Sequence, residues 1–279
     1  MKRSARAMAV AVAGVLALAG QTARADQEAA PADEGRKSSW WNWWNWGDGS
    51  WGLNFGGVTY GSNPDRIIGS DKLVNDVRTL SDVRAIELLG PIDIVIRQGT
   101  LEKATVHTDD NIAPMIETRV ADGVLHVGVR SGASFRTRHP VGVTVDLKQL
   151  ASLKIQGSGD VTCAQLQTDL LEITIRGSGD VRFDGLRASA LAVLVRGSGG
   201  AHLTGTVPKQ GFDIEGTGSI DAGELAGREV AVRVAGTGSA DIWVSETLDV
   251  QISGTGDVSY RGNPRITKSI TGVGTLSRH

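Results

Sequence analysis

Asp213 and Glu215 are the residues whose spacing best fits a familiar reaction. Two positions apart on a strand, their side chains leave one face about 6.5–7 Å from each other. That separation suits an inverting glycosidase, in which one carboxyl group protonates the leaving oxygen and the other activates water. Solvent-facing strands produce such pairs readily, so the pair alone does not make an enzyme. Asp160, Asp180 and Asp257 each follow a Gly-x-Gly directly, which raises the question of calcium. A calcium cage needs about six to eight oxygens, and these scattered aspartates supply too few. Capping a turn amide is the simpler role for them. Ser158, Ser178 and Ser198 sit in Gly-Ser-Gly, not in the Gly-x-Ser-x-Gly of a strand-to-helix nucleophile elbow. His107, His126, His139, His202 and His279 show no metal-type spacing, so neither a metal nor another cofactor is expected. Arg138-His139, with Arg130 and Arg136, forms a basic loop suited to an anionic group or simply to water.

The strongest binding signal is aromatic. Trp40, Trp41, Trp43, Trp44, Trp46 and Trp51 account for all but one of the chain's 7 tryptophans. Flat rings spaced by asparagine and glycine can stack on sugars or lie at a membrane interface. The stretch lacks the basic residues of an electrostatic lipid binder. The competing reading is that the rings fold back as a cap.

The elements that must carry these residues announce themselves as a repeat. Gly157-x-Gly159, Gly177-x-Gly179, Gly197-x-Gly199, Gly216-x-Gly218, Gly236-x-Gly238, Gly254-x-Gly256 and Gly272-x-Gly274 recur at steps of 18 to 20 residues. A fixed period of that size marks a solenoid. Two residues before each first glycine stand Ile155, Ile175, Val195, Ile214, Val234, Ile252 and Ile270. Four before stand Leu153, Ile173, Val193, Phe212, Val232 and Val250, then Lys268; Val161, Val181, Ala201, Ile220, Ala240 and Val258 follow four after. Apolar residues at alternate positions flanking a glycine corner are the signature of strands with one buried face. The expected fold is all-β, a solenoid of about seven coils, each a strand, a tight corner, a second strand and a looser return loop. A sandwich with regular turns is the alternative. Cys163 falls in the inward register and reads as a small buried hydrophobe.

Lys2, Arg3 and Arg6, an apolar run from Ala7 to Ala19 and Ala23-Arg24-Ala25 have the form of a Sec-type signal peptide over residues 1–25. The chain is therefore expected in the periplasm, at the outer surface or secreted. No cysteine follows the run, which argues against a lipoprotein anchor, and no membrane span is expected after residue 25. Residues 26–66 read as a disordered linker holding the tryptophans, 67–147 as a non-repeating β segment that caps or extends the coils, and 148–279 as the repeats. A formal net charge of −2 does not favour nucleic acid as a partner.

Ile86-Glu87-Leu88-Leu89-Gly90-Pro91-Ile92-Asp93-Ile94-Val95-Ile96-Arg97-Gln98-Gly99, then Asp109-Asp110-Asn111 and Ile116-Glu117-Thr118, resemble the bacterial head GIN domain family. Gly157–Asp160, Gly177–Asp180, Gly262-Asn263-Pro264 and Gly272-Val273-Gly274 match its repeats. The resemblance spans roughly residues 67–276 and leaves out the tryptophan stretch. It implies a solenoid-like fold and adhesin-type surface binding, with no catalytic residues to carry over. The reading is thus an exported, non-catalytic module that recognises a glycan, a cell-envelope component or a surface protein. A scaffold that self-associates through its solenoid ends is the alternative, and a carbohydrate-active enzyme comes third.

Overall fold

A computed structural model describes the backbone of Val58–Tyr60 and all of residues 66–279. The chain winds into a β-solenoid of about six turns, close to the seven coils expected.

One face stacks Ala85–Leu89, Ser152–Gly157 and the last parts of Leu166–Gly177 and Val181–Gly197. It continues through Lys209–Ile214, the ends of Ser219–Val234 and Ser239–Ile252, and Arg265–Ile270. Every pairing is parallel and in register, so Leu153 lies over Ile86, Ile173 over Leu153 and Val193 over Ile173. The other face begins at Asp93–Gln98 and ends at Leu276–Arg278, with Val161 over Ile94 and Val181 over Val161. The apolar columns read from the sequence are buried up to the last coil, where Lys268 and Ile270 are exposed.

The return segments are not loose. Val181–Gly197, Ser219–Val234 and Ser239–Ile252 run as unbroken strands from one corner round to the next. Leu166 pairs with Leu186, Leu186 with Gly205 and Gly205 with Leu225 across the bends. A returning amide buried against the next coil needs a partner, and the neighbouring return supplies it. The expected break occurs where proline stands. Ala201–Thr206 stops, and Lys209–Ile214 resumes beyond Pro208, which has no N–H to give.

At the corners, glycine serves close approach above all. A Cβ on Gly177, Gly216, Gly236 or Gly254 would come within 2.2 Å of the carbonyl oxygen of the glycine one coil below. The non-repeating block already holds one such corner, Gly90-Pro91-Ile92, on which Gly157 and Gly159 stack.

Between Gln98 and Ser152 the chain leaves the coil and builds a cap. Gly142–Leu147 lies parallel on Asp93–Gln98, Lys103–Asp109 runs antiparallel to it, and Leu73–Thr79 runs antiparallel to that. On the other face Val124–Val129 lies parallel on Ala85–Leu89 and forms a hairpin with Ile116–Ala121. The Arg78 guanidinium, on the outermost strand of one face, donates to the carbonyls of Ile116 (2.5 Å) and Ala113 (2.8 Å) on the other, and so ties the end shut. Val58–Tyr60, inside the stretch read as linker, pairs antiparallel with Phe135–Thr137, whose other side carries Ile67–Ile68. A single hydrophobic core runs from Leu80 in the cap to Val258. The far end has no such cover among the described residues; Arg265–Ile270 and Leu276–Arg278 pair on one side only.

Candidate functional site

The outward rows of the solenoid are largely occupied with each other. Equivalent residues lie one strand spacing apart, about 4.8 Å, so opposite charges at matching positions of successive coils meet directly. Arg196 grips Glu215 through two nitrogens, at 2.5 and 3.2 Å. His202 meets Asp221 at 2.9 Å, and Arg261 meets Asp241 at 3.6 Å.

That pairing changes the reading of Asp213 and Glu215. Both oxygens of Glu215 are engaged by Arg196, so the carboxylate is held in an ion pair across coils. Asp213 is buried between Leu194 and Arg233, with Oδ1 lacking a hydrogen-bond partner. Burial, then the nearby Glu215 carboxylate, push the Asp213 carboxyl above its ordinary value of 3.8, against the pull of Arg233 and Arg196. The folded protein therefore holds this proton more tightly than the unfolded chain, and stability falls as pH rises from 3.8 through the folded value. Asp213→Asn is accordingly expected to raise the urea midpoint at pH 7, with the gain vanishing near pH 3. An equal gain at both pH values would show that the buried charge is not the cause.

The post-corner aspartates form a ladder of caps. Asp93 accepts the amide of Asp160 (3.0 Å), Asp160 that of Asp180 (2.8 Å), and Asp180 that of Gly200 (2.6 Å). Asp257 accepts both the amide and the hydroxyl of Thr275, which hold its carboxyl below the usual range. The capping role expected of them is realised on the amide of the next coil, so these oxygens converge on no common point. Ser158, Ser178 and Ser198 lie exposed along the corners, where Ser198 accepts from the Thr217 hydroxyl. Cys163 is buried; desolvation pushes its thiol up to about 11, so it stays protonated at neutral pH and does not act as a nucleophile. His107 is fixed between Asn75 and Thr144, and His126 faces Glu87. The tryptophans from Trp40 to Trp51 and residues 1–25, read as a signal peptide, lie outside the described residues.

One grouping was invisible in the sequence. Asp71, Asp109 and His139, from three separate segments, place a ligating atom each within 4.8 Å of one another. Arg138 and His139, read as part of a basic loop suited to an anionic group or to water, face the Asp71 carboxylate at 3.7 and 3.6 Å. Nothing in their spacing along the chain marks them, because strand pairing brings them together: Ile67–Ile68 lies parallel to Phe135–Thr137, and Leu73–Thr79 runs antiparallel to Lys103–Asp109. The one available clue was Asp109-Asp110-Asn111, three polar residues in a row at the end of a strand.

The comparisons place this fold among known proteins. The family model described as "Putative auto-transporter adhesin, head GIN domain" matches residues 82–264. The chain belongs to the head GIN domain family. A crystal structure of a "putative adhesin" from Bacteroides fragilis is similar to this head GIN domain at 27% identity and TM-score 0.72, covering 76% of this chain and 100% of the other. A "putative lipid binding protein" from Parabacteroides distasonis shares the fold at 24% identity and TM-score 0.66, over 77% and 99% of the two chains. A "putative adhesin" from Parabacteroides merdae shares it at 24% identity and TM-score 0.62, again over 77% and 99%. Comparison with curated proteins gives no match. No helix among the described residues is long and apolar enough to cross a membrane.

Proposed function

We propose that this head GIN domain is an exported, non-catalytic adhesion module whose solenoid is a rigid stem and whose ligand contact is Trp40, Trp41, Trp43, Trp44, Trp46 and Trp51. The partner class is a glycan or another cell-envelope component, since planar rings spaced by small polar residues suit stacking on sugar faces. The observation that supports it is the pairing of Val58 with Thr137. A strand locked into the cap tethers what precedes it, and an extended chain covers at most about 3.6 Å per residue. The seven residues from Trp51 to Val58 span at most about 25 Å, so the tryptophan stretch joins the domain at its cap end. Family membership supports surface binding, and the engagement of Glu215 by Arg196 gives that carboxylate a structural role. Export rests on the signal pattern of residues 1–25.

A second reading, self-assembly, is favoured by one observation. The last coil leaves its strand edges unpaired among the described residues, with Ile266, Ile270 and Val273 exposed. Arg265, Lys268 and Arg278 on those edges oppose pairing between two like ends.

The test is a pull-down of residues 26–279 and 52–279 on peptidoglycan, lipopolysaccharide and capsular glycans, with sedimentation of both forms. Retention of the longer form alone, reduced at least about tenfold by the truncation, is the expected result. Equal retention of both would move the contact onto the solenoid. Retention of neither, with concentration-dependent growth in size, would favour self-assembly.

A further inference from the structure

The cap end holds a cluster that the adhesion reading does not use. Three segments meet there: residues 69–72 before the first cap strand, Asp109–Asn111 at the end of Lys103–Asp109, and Thr137–His139 after Phe135–Thr137. The segments are clamped by hydrogen bonds. Asn111 accepts from the Ser70 amide and donates to the Ile68 carbonyl, at 3.0 and 2.8 Å. The Ser70 hydroxyl donates to Asp110, and the Gly69 amide donates to the Arg136 carbonyl. Gly69 has no room for a side chain, since a Cβ would lie 2.2 Å from Asp109 Oδ2.

At the centre is an aspartate in an unusual position. Asp109 is 0% exposed, yet its Oδ1 has no hydrogen-bond partner. Oδ2 accepts from the Thr137 hydroxyl at 2.5 Å. A carboxylate carried out of water with one oxygen unsatisfied is costly unless a cation meets it. The side chains nearest at hand are the right kind to share one. His139 Nε2 lies 3.6 Å from Asp71 Oδ1, and two donors each about 2.0–2.1 Å from a tetrahedral ion stand about 3.3 Å apart. Thr137 Oγ1, besides donating to Asp109, accepts the His139 amide at 3.0 Å, so one hydroxyl orients two of the three donors. Asp71 adopts φ 60°, a left-handed conformation rare outside glycine, and its carboxylate projects back toward His139. Arg138, which also approaches Asp71, has an 84% exposed side chain and can leave without disturbing the fold.

We propose that Asp71, Asp109 and His139 form a site for a divalent transition-metal ion of the zinc class. The unpartnered, fully buried Asp109 oxygen and the convergence of three donors carry this independently of each other. One imidazole among the donors selects against calcium and magnesium, which take oxygen alone. Three protein donors leave a tetrahedral ion one position open to water or to a partner's ligand. Val58 is paired opposite Thr137, so the ion would sit beside the row that tethers the tryptophan stretch to the cap.

The experiment is calorimetric titration of the full chain, freed of metal by chelator, with zinc chloride. One ion per chain is expected, with a rise in Tm of about 5–10 °C at a hundredfold excess over Kd. Cobalt(II) is expected to give a visible absorption band. Asp109→Asn and His139→Gln are each expected to weaken zinc binding more than about a hundredfold, beyond what loss of a supporting residue does. Should Asp109→Asn fail to fold, His139→Gln decides alone, because that side chain is partly exposed, at 34%. Loss of both the zinc heat and the cobalt band in folded His139→Gln supports the site. Absence of zinc binding in the parent chain overturns it, as does binding unchanged in His139→Gln. Calcium binding as tightly as zinc would overturn the role given to the imidazole.

Discussion

Gly177→Ala is expected to lower the free energy of unfolding by about 4 kcal/mol or more, a size reached only when a substitution breaks a backbone feature. Gly177 adopts φ 145°, where a side chain is strained. The larger effect is steric, since the new Cβ would lie 2.1 Å from the Gly157 carbonyl oxygen. That oxygen accepts the amides of Ser178 (2.9 Å) and Gly179 (3.2 Å), so relieving the clash separates two coils and strains both bonds. Ser178→Ala next to it is the control. Ser178 is exposed, and its loss should stay within about 0.5 kcal/mol. Urea denaturation followed by far-ultraviolet dichroism measures both. A Gly177→Ala midpoint close to the parent's would mean the corner opens more freely than the stack implies.

Phe212→Ala is expected to cost about 3–5 kcal/mol. The ring is fully buried, with Val193 below and Val232 above in one inward column. Each coil touches only its neighbours, so a cavity here weakens the joint between the early and late coils and not one local contact. Amide hydrogen exchange should show protection falling chiefly from Lys209–Ile214 onward, while Asp93–Gln98 in the capped half keeps its own. Ile270→Ala should cost less than about 1 kcal/mol, because that side chain is already 36% exposed in the last coil. Equal losses at Phe212 and Ile270 would mean that stability does not come from the middle of the stack.

Much of the solenoid was legible before any coordinates. Leu153, Ile155, Val161 and Cys163 recur as types every 18 to 20 residues, and their descendants are buried in columns. A repeat is its own alignment, so each position reports its environment several times over. The cap carried no such redundancy. Residues 67–147 were legible only as a non-repeating β segment, and Leu73–Thr79 shows why the strands within it are hard to place. That strand alternates between exposed and half-buried residues and lies at an edge, where the apolar signal is weakest.

By itself the sequence determined the fold class, the corner positions and the inward columns, because strand periodicity and glycine's missing side chain are local properties read residue by residue. Tertiary structure alone decided which polar groups meet. Arg196 pairs with Glu215 from 19 positions away. Gln210, in an inward slot otherwise filled by leucine and valine, turns its amide to the bend carbonyls of Val207 and Leu225. Asp71, Asp109 and His139 converge only once the cap strands pair, one pair parallel and one antiparallel. Burial follows from the chemistry of one side chain, whereas pairing requires two addresses in space, and sequence separation does not encode the second.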